Sequence, residues 1–199
     1  MQEIKLSNKS HLLYIPDFIQ ANKIPSLIEK LKSESQWRDD KITMFGKTFD
    51  QPRRVAFFGS PEISYTYSKI KMIPQGWTLV TKELTSKINE IYGHDFNTCL
   101  LNLYRDGNDH MSWHCDNEPE LGIDPVIGSL SLGQERDFFF REKKNPENKI
   151  SLSLQSGSLL LMLGKCQSEF NHALPKRKRQ NGERLNLTFR EVIKVASPD

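Results

Sequence analysis

The chain lacks the sequence features of a secreted, membrane-spanning or repetitive protein. Its three cysteines are an odd number with no CxxC spacing, which predicts reduced thiols rather than a disulfide framework or a zinc ribbon. No apolar run approaches the roughly 20 residues that span a bilayer, and the N-terminus lacks the charged-then-apolar layout of a secretory signal. We therefore expect no membrane association and a cytoplasmic protein, nuclear if the source is a eukaryote.

The composition is that of a folded domain with modest charge. Hydrophobic residues make up 37% of the 199 positions and aromatic residues 10%, and they cluster in short runs, unlike those of a disordered chain. A chain of this length buries a core within one domain, so we expect a single domain over 1–199. The net charge of +3 says little about partners, and no oligomerisation device is evident, so we expect a monomer.

The apolar pattern predicts an N-terminal layer with helices, followed by a β-rich core. Apolar residues at helical spacing predict amphipathic helices over 24–31 and 77–91, and residues 42–49 have the pattern of a hairpin. Further along, eight strand-like runs are separated by turn residues: 98–105, 110–116, 126–132, 136–141, 149–154, 158–163, 168–173 and 184–193. We predict a mostly β fold of the α+β class, in which a double-stranded β-helix, or jelly roll, over 98–193 follows a helix-containing layer over 1–97.

The stretch from Asn102 to Asp116 has polar residues at strand spacing on both sides of a turn. Asn102 and Tyr104 are two residues apart, as are His114 and Asp116, and side chains at i and i+2 share one face of a strand. The intervening residues include Asp-Gly and Asn, which permit a tight reversal. The stretch therefore predicts a hairpin that brings both polar pairs together.

The last predicted strand has two chemically distinct faces. Arg184, Asn186, Thr188 and Arg190 alternate with Leu185, Leu187 and Phe189. One interpretation is that the polar face is solvated. The other is that it points inward, in which case its two arginines require anionic partners, because an unpaired buried guanidinium costs several kcal/mol.

Three residues form a candidate metal site. His114 and Asp116 supply a paired set of ligands, and His172 supplies a plausible third. Two histidines and one carboxylate are the facial triad of non-haem Fe(II), which leaves positions open for a co-substrate and oxygen. Zinc with a bound water can use the same ligands.

The sequence resembles the AlkB-like 2-oxoglutarate and Fe(II)-dependent dioxygenases over residues 42 to 193, and within them the members that repair alkylated nucleic acids. The motifs that carry the resemblance are Asn102-x-Tyr104, His114-x-Asp116, His172 and Arg184-x-Asn-x-Thr-x-Arg190. The resemblance implies that His114, Asp116 and His172 bind and use iron in catalysis. It implies that 2-oxoglutarate is held by Asn102, Tyr104, Arg184, Asn186 and Arg190.

The resemblance also implies substrate-binding hairpins and a pocket for a flipped base. Phe45 corresponds to a wedge that fills the gap in the base stack, although an exposed or core aromatic at a hairpin tip explains it equally well. Tyr65 and Tyr67 would line the base pocket, and Glu118 would read the edge of the base. Independently of the resemblance, Arg141 and the basic run Lys176–Arg179 would contact phosphates if they rim the iron site, whereas the alternative interpretation is a solvated loop of charges. The complete substrate-binding set is Phe45, Tyr65, Tyr67, Asn117, Glu118 and Arg141.

One position departs from the family pattern. Asn117 stands where related repair members have an Asp directly after the iron-binding aspartate. Because an Asn is neutral and both donates and accepts hydrogen bonds, we expect an altered preference among cationic methylated bases.

The expected activity is oxidative demethylation of alkylated nucleobases in DNA or RNA, a DNA repair reaction that consumes 2-oxoglutarate and O2 and releases succinate, CO2 and formaldehyde. Two alternatives use the same fold. One is a 2-oxoglutarate-dependent hydroxylase or demethylase of tRNA, protein or a small molecule. An enzyme that acts on a small molecule would need neither Phe45 nor the basic clusters. The other is a nucleic-acid binding module without catalysis, which the complete ligand set disfavours.

Overall fold

The structure is a computed structural model that describes residues 1–44, 47–63, 65–67 and 70–193, without the side chains of 42–44, 47–48, 65–67 and 70–72. Its elements, in chain order, are β1 (Gln2–Lys5), β2 (Ser10–Ile15), α1 (Ile24–Glu34), β3 (Lys41–Met44), β4 (Lys47–Asp50), β5 (Arg54–Gly59), β6 (Tyr65–Tyr67), β7 (Ile70–Met72), α2 (Leu79–Tyr92), β8 (Thr98–Tyr104), β9 (Met111–His114), β10 (Ile127–Gly133), β11 (Arg136–Glu142), β12 (Lys149–Leu154), β13 (Leu159–Gly164), α3 (Cys166–Glu169), β14 (Phe170–Leu174) and β15 (Arg184–Arg190). Short 3₁₀ turns cover Ala21–Lys23 and Pro119–Leu121.

Two antiparallel sheets form the core. The major sheet has the order β1-β2-β13-β10-β15-β8-β5, and the minor sheet has the order β12-β11-β14-β9. One hydrophobic cluster combines residues of both sheets, including Tyr104, Ile127 and Leu160 with Phe138 and Phe140, so the sheets pack face to face. The eight strands predicted from residue 98 onward are present, and the jelly-roll prediction is confirmed.

The two long helices cover the outer face of the major sheet. Leu31 of α1 and Ile88 of α2 lie in one cluster with Leu101 and Leu187 of the sheet. Helix α2 begins with a reciprocal capping box between Thr78 and Thr81, and it ends at Gly93 in the left-handed conformation, with φ of 66°. Both predicted helices are therefore present.

Strand β15 places different chemistry on the two faces of the major sheet. Leu185, Leu187 and Phe189 pack into the cluster beneath the helices. Arg184 and Arg190 point the other way, into the space between the sheets, where they are 2% and 3% exposed. The interpretation of this face as solvated is therefore wrong, and the buried guanidinium groups need partners.

The predicted hairpin over 102–116 is wrong. Strand β8 pairs with β15 and β5 in the major sheet, whereas β9 pairs with β14 in the minor sheet. The segment 105–110 is a crossover between sheets, not a hairpin turn. The polar residues still meet, because they line the same cavity from opposite walls.

Two buried groups hold this crossover in place. Arg136 is 1% exposed, and its guanidinium donates to the backbone carbonyls of Asp106, Asp109 and Pro175, at 3.2, 3.1 and 2.6 Å respectively. Gly107 donates its backbone N–H to Gln180 and accepts from the backbone N–H of Arg177. Together these bonds join the crossover to the loop that follows the third metal-ligand candidate.

Smaller differences from the sequence expectation concern segment ends. The run predicted as a strand over 168–173 begins as the helical turn α3 and becomes extended only at Phe170. Both N-terminal hairpins have paired strands, β3 with β4 and β6 with β7.

All three cysteines are unpaired thiols. Within the described residues, no helix is long and apolar enough to cross a membrane.

Gly107→Ala should destabilise the fold by about 1–3 kcal/mol, because the added Cβ overlaps the backbone carbonyl of Arg177 and the loop has to shift. Urea unfolding monitored by circular dichroism measures the change. Asn108→Ala is the matched control, since Asn108 is exposed on the same crossover, and it should change stability by less than about 0.5 kcal/mol. Equal stability of the two variants would contradict this view of the crossover.

Candidate metal and co-substrate site

The three predicted metal ligands converge at one end of the minor sheet. His114 ends β9, and His172 is its direct cross-strand partner on β14, with 3.1 Å between the two Nε2 atoms. Asp116 lies two residues past the strand, with Oδ2 at 4.0 Å from His172 Nε2. The potential ligand atoms of the three side chains lie within 4.8 Å of one another, so they can bind one ion.

Both histidines are in the protonation state that binds a cation. Burial lowers the pKa of His172 to about 3, and burial also lowers the pKa of His114. The Nδ1 atom of His114 lies 2.8 Å from the backbone carbonyl of Ser112. Since a carbonyl can only accept, Nδ1 carries the proton, and this assignment leaves the lone pair on Nε2, facing the site.

The Asp116 carboxylate is fully buried and ionised. Burial alone would raise its pKa, but the Arg190 guanidinium and the two histidines outweigh that effect and hold the pKa at about 2. Arg190 Nη2 donates to Asp116 Oδ1 at 2.9 Å, which leaves Oδ2 directed toward His172. Two neutral imidazoles and one anionic oxygen are a donor set that fits Fe(II).

The cavity beside the triad has the right lining for a small dicarboxylate. It has a volume of about 470 Å³, including its open mouth, and lies between the two sheets. Arg184 lines its major-sheet wall, with Nη2 donating to Ser131 Oγ at 2.9 Å and its guanidinium 5.3 Å from the centre of the Tyr104 ring. Its Nε atom has no hydrogen-bond partner among the described residues.

The electrostatics of Arg184 indicate an anionic ligand. Burial lowers the pKa of this guanidinium to about 10. No carboxylate of the described residues forms an ion pair with it, and a buried cation without an anionic partner is unfavourable by several kcal/mol. A carboxylate that entered the cavity would supply the missing charge and accept the free N–H bonds.

The two predicted amide residues line the same cavity. Asn186 Nδ2 donates to Ser129 Oγ at 2.8 Å and to the Leu130 carbonyl at 3.2 Å. Asn102 Oδ1 accepts from Arg53 Nε at 2.8 Å. All five residues predicted for the co-substrate, Asn102, Tyr104, Arg184, Asn186 and Arg190, line this cavity with the three metal-ligand candidates.

The described candidates for substrate binding, Asn117, Glu118 and Arg141, do not line this cavity. Glu118 is half-buried, its Oε2 has no hydrogen-bond partner among the described residues, and burial and then the charge of Asp116 raise its pKa. Asn117 is exposed. Arg141 does not line the cavity, and its guanidinium stacks 4.4 Å from the centre of the Trp113 ring.

Three of the predicted substrate contacts cannot be placed. Phe45 lies outside the described residues, as do the side chains of Tyr65 and Tyr67. Their roles therefore stay predictions.

Three residues at the site have no counterpart in the sequence prediction. Arg53 is buried against Asn102, and Gln167 accepts a hydrogen bond from the Asp116 backbone. Trp113 stands next to a metal ligand with 36% of its surface exposed. The strand alternation around His114 could have identified Trp113 as an outward aromatic, whereas the sequence has no comparable signal for Gln167.

Divalent metal affinity should change little between pH 8 and pH 6, because the pKa values of His172 and Asp116 lie far below that range and protons do not compete for these ligands. Mn(II) titration followed by electron paramagnetic resonance should give dissociation constants within about twofold. Two histidines with ordinary pKa values would each weaken binding roughly fourfold at pH 6. A combined loss of more than tenfold would contradict the depressed pKa values.

The comparisons with known proteins agree with this geometry. Residues 11–190 match the family model described as the 2OG-Fe(II) oxygenase superfamily. The Homo sapiens protein named alpha-ketoglutarate-dependent dioxygenase alkB homolog 3 is 37% identical over an alignment 201 residues long. The alignment covers 96% of this chain and 70% of that protein. The Mus musculus protein named DNA oxidative demethylase ALKBH2 is 38% identical over 160 residues, which cover 77% of this chain and 67% of that protein.

The fold is also shared with a solved structure. The structure of OsALKBH1 has a TM-score of 0.60 at 16% identity, over 90% of this chain and 97% of that one. The chain thus belongs to the 2OG-Fe(II) oxygenase superfamily, with AlkB-like relatives, and is a dioxygenase that uses Fe(II), 2-oxoglutarate and O2.

Proposed function

We propose that the chain removes N-linked methyl groups from alkylated nucleobases in nucleic acid. The observation that carries the proposal is a single cavity in which the His114, Asp116 and His172 triad lies beside the buried Arg184. Relatives named as DNA oxidative demethylase or alkB homolog support the choice of substrate class. DNA and RNA are both candidate carriers of the base.

His114, Asp116 and His172 would hold Fe(II) on one side, which leaves the cavity side open. When bound there, Fe(II) and 2-oxoglutarate supply the oxidation of the methyl group by O2, with release of succinate and CO2. The hydroxymethylated base would then lose formaldehyde: the bond between carbon and nitrogen breaks, its electron pair returns to the ring nitrogen, and the hydroxyl proton is released. The protein contributes a dry, preorganised site, since Asp116 and His172 are 1% and 3% exposed.

Arg184 would bind the carboxylate of 2-oxoglutarate that lies farther from the metal. Its pairing with Ser131 and its stacking against Tyr104 fix the guanidinium in one orientation, so little side-chain entropy is lost on binding. Asn102 and Asn186 line the path between Arg184 and the triad. Arg190 contributes mainly by holding Asp116, a role that sequence alone did not predict.

The target base would enter beside Glu118 and Asn117. The half-buried Glu118 has an Oε2 without a hydrogen-bond partner in the described part of the chain. It is therefore suited to reading the edge of a base. Phe45, Tyr65 and Tyr67 remain proposed contacts of the base stack and the flipped base.

The outer face of the minor sheet is suited to a nucleic-acid strand. Trp113 stacks against Arg141, and Phe139 lies 5.5 Å from the Arg177 guanidinium. A groove between these aromatics continues past Trp113 to a second groove that reaches His114. Aromatic rings for base stacking and cations for phosphates favour nucleic acid over a small-molecule substrate.

Turnover on defined lesions tests the proposal. Protein loaded anaerobically with Fe(II) and then given O2 and 2-oxoglutarate should release formaldehyde from oligonucleotides that contain 1-methyladenine or 3-methylcytosine, and should restore the unmodified base. A matched panel of single-stranded and double-stranded DNA and RNA identifies the preferred carrier. Absence of turnover on the whole panel, together with succinate production stimulated by a protein, tRNA or small-molecule substrate, would contradict the nucleobase assignment.

Arg184→Met should weaken 2-oxoglutarate binding by roughly thirtyfold or more, because it removes one partner of a buried charge pair. Mn(II) affinity should remain near that of the unaltered protein, since Arg184 does not contact the triad. Arg179→Met is the matched control, because Arg179 is an exposed arginine of the basic run. Calorimetric titration of the Mn(II)-loaded protein measures both constants, and unchanged 2-oxoglutarate affinity in Arg184→Met would exclude the proposed role.

A further inference from the structure

The backbone around Asp116 is not fixed by strand pairing. Strand β9 ends at His114, and the next regular element is the 3₁₀ turn that begins at Pro119. His114 is therefore placed by its register with His172, whereas Asp116 lies in irregular chain. A carboxylate in such a segment has to be positioned by other contacts before it can act as a preorganised ligand.

Gln167 supplies one of these contacts from a distant part of the chain. It lies on α3, is 1% exposed, and its Oε1 accepts a hydrogen bond from the Asp116 backbone N–H at 2.9 Å. Among the described residues, its Nε2 reaches only the Met162 sulfur, at 3.6 Å, which is a weak acceptor. The strong hydrogen bond of this buried amide is thus the one that it makes to the ligand backbone.

Lys143 joins the same segment to α3. Its Nζ donates to the Gln167 backbone carbonyl at 2.7 Å and to the Cys115 Sγ at 3.1 Å. Its backbone N–H donates to the Glu169 carbonyl at 2.8 Å. Lys143 therefore connects the end of β11, the turn α3 and the residue between the two metal-ligand candidates.

We propose that Gln167 and Lys143 are positioning residues that hold Asp116 in its metal-binding place. The inference rests on the metal site proposed above. Arg190 fixes one carboxylate oxygen of Asp116 from β15, and Gln167 fixes the backbone of the same residue from the turn α3. Because Asp116 is held through both its side chain and its backbone, its second carboxylate oxygen stays directed toward His172. It therefore need not be reoriented when the ion binds.

Neither Gln167 nor Lys143 lines the cavity itself or supplies a metal-ligand atom. A loss of either contact should therefore act on ligand placement, not on 2-oxoglutarate binding. Gln167→Met is the sharpest variant, because it keeps the length of the side chain and removes the acceptor. Lys143→Met is a second variant at a half-buried position, so it tests the inference even if the first variant folds poorly.

Mn(II) titration followed by electron paramagnetic resonance measures the effect. Gln167→Met should bind Mn(II) about 10–100-fold more weakly, the range typical of contacts that orient metal ligands. Lys143→Met should weaken binding in the same direction by a smaller factor, and the double variant should lose less than the product of the two factors, because both act on one segment. Ser168→Ala is the control on the same turn, since Ser168 bonds to Asp124 and not to the ligand segment.

A spectroscopic measurement separates positioning from general stability. Saturated Co(II) protein reports ligand geometry through its visible absorption, and Gln167→Met should shift that spectrum, whereas Ser168→Ala should not. Wild-type Mn(II) affinity and an unchanged Co(II) spectrum in folded Gln167→Met and Lys143→Met would overturn the inference while leaving the metal site intact. Loss of Mn(II) binding in His114→Ala verifies that the titration reports the proposed site, and no binding by the unaltered protein would overturn both proposals.

Discussion

The buried ion pair between Asp116 and Arg190 is the contact on which the site depends. Asp116 follows the edge strand β9 of the minor sheet, and Arg190 ends strand β15 of the major sheet, so their 2.9 Å contact joins the two walls of the sandwich beside the triad. Burying two charges costs several kcal/mol each, and the pair is tolerated because each charge compensates the other. The same contact keeps Asp116 ionised and aims its free oxygen at the histidines.

The rest of the cavity also contains a buried charge. Arg184 lies on the same face of β15 as Arg190, six residues away, and is buried without a carboxylate in the described part of the chain. A cavity with a cation at one end and a ligand triad at the other is complementary to a molecule that carries two carboxylates. The face of β15 that lines the cavity therefore carries both arginines, and its opposite face packs against apolar residues beneath the helices.

The sequence was sufficient for the parts of the site that alternate along strands. Polar and apolar residues alternate along β15, and this alternation predicted which residues share a face. The type and the order of the residues predicted the ligand set. The partner of each strand did not follow, which is why the 102–116 stretch was predicted as a hairpin. Alternation decides which face a residue occupies, but a short polar turn is equally compatible with a hairpin and with a crossover between sheets.

Strand β8 lies between two other strands of the major sheet, which the hairpin prediction did not include. All seven of its residues are buried, as expected for a central strand between two neighbours. Gln167 and Arg53 were out of reach for a different reason. A buried amide or guanidinium is defined by the distant group that it bonds, and neither residue has a local pattern that identifies that group.

We expect substrate choice to depend on residues outside this charged core. Glu118 and Asn117 follow Asp116 in the loop after β9, and Trp113 with Arg141 forms an aromatic and basic surface on the minor sheet. These groups can change without disturbing the metal ligands, since they belong to the loop after β9 and to the outer face of the minor sheet. The oxidation chemistry and the selection of the base are therefore separable properties of the chain.

The most direct test of the site is a crystal structure with Mn(II) and 2-oxoglutarate under anaerobic conditions. The metal should be bound by Nε2 of His114, Nε2 of His172 and one oxygen of Asp116. One carboxylate of 2-oxoglutarate should lie on Arg184, and Arg190 should remain on the other Asp116 oxygen. A metal bound elsewhere, or a co-substrate carboxylate that leaves Arg184 without an anionic partner, would contradict this description of the site.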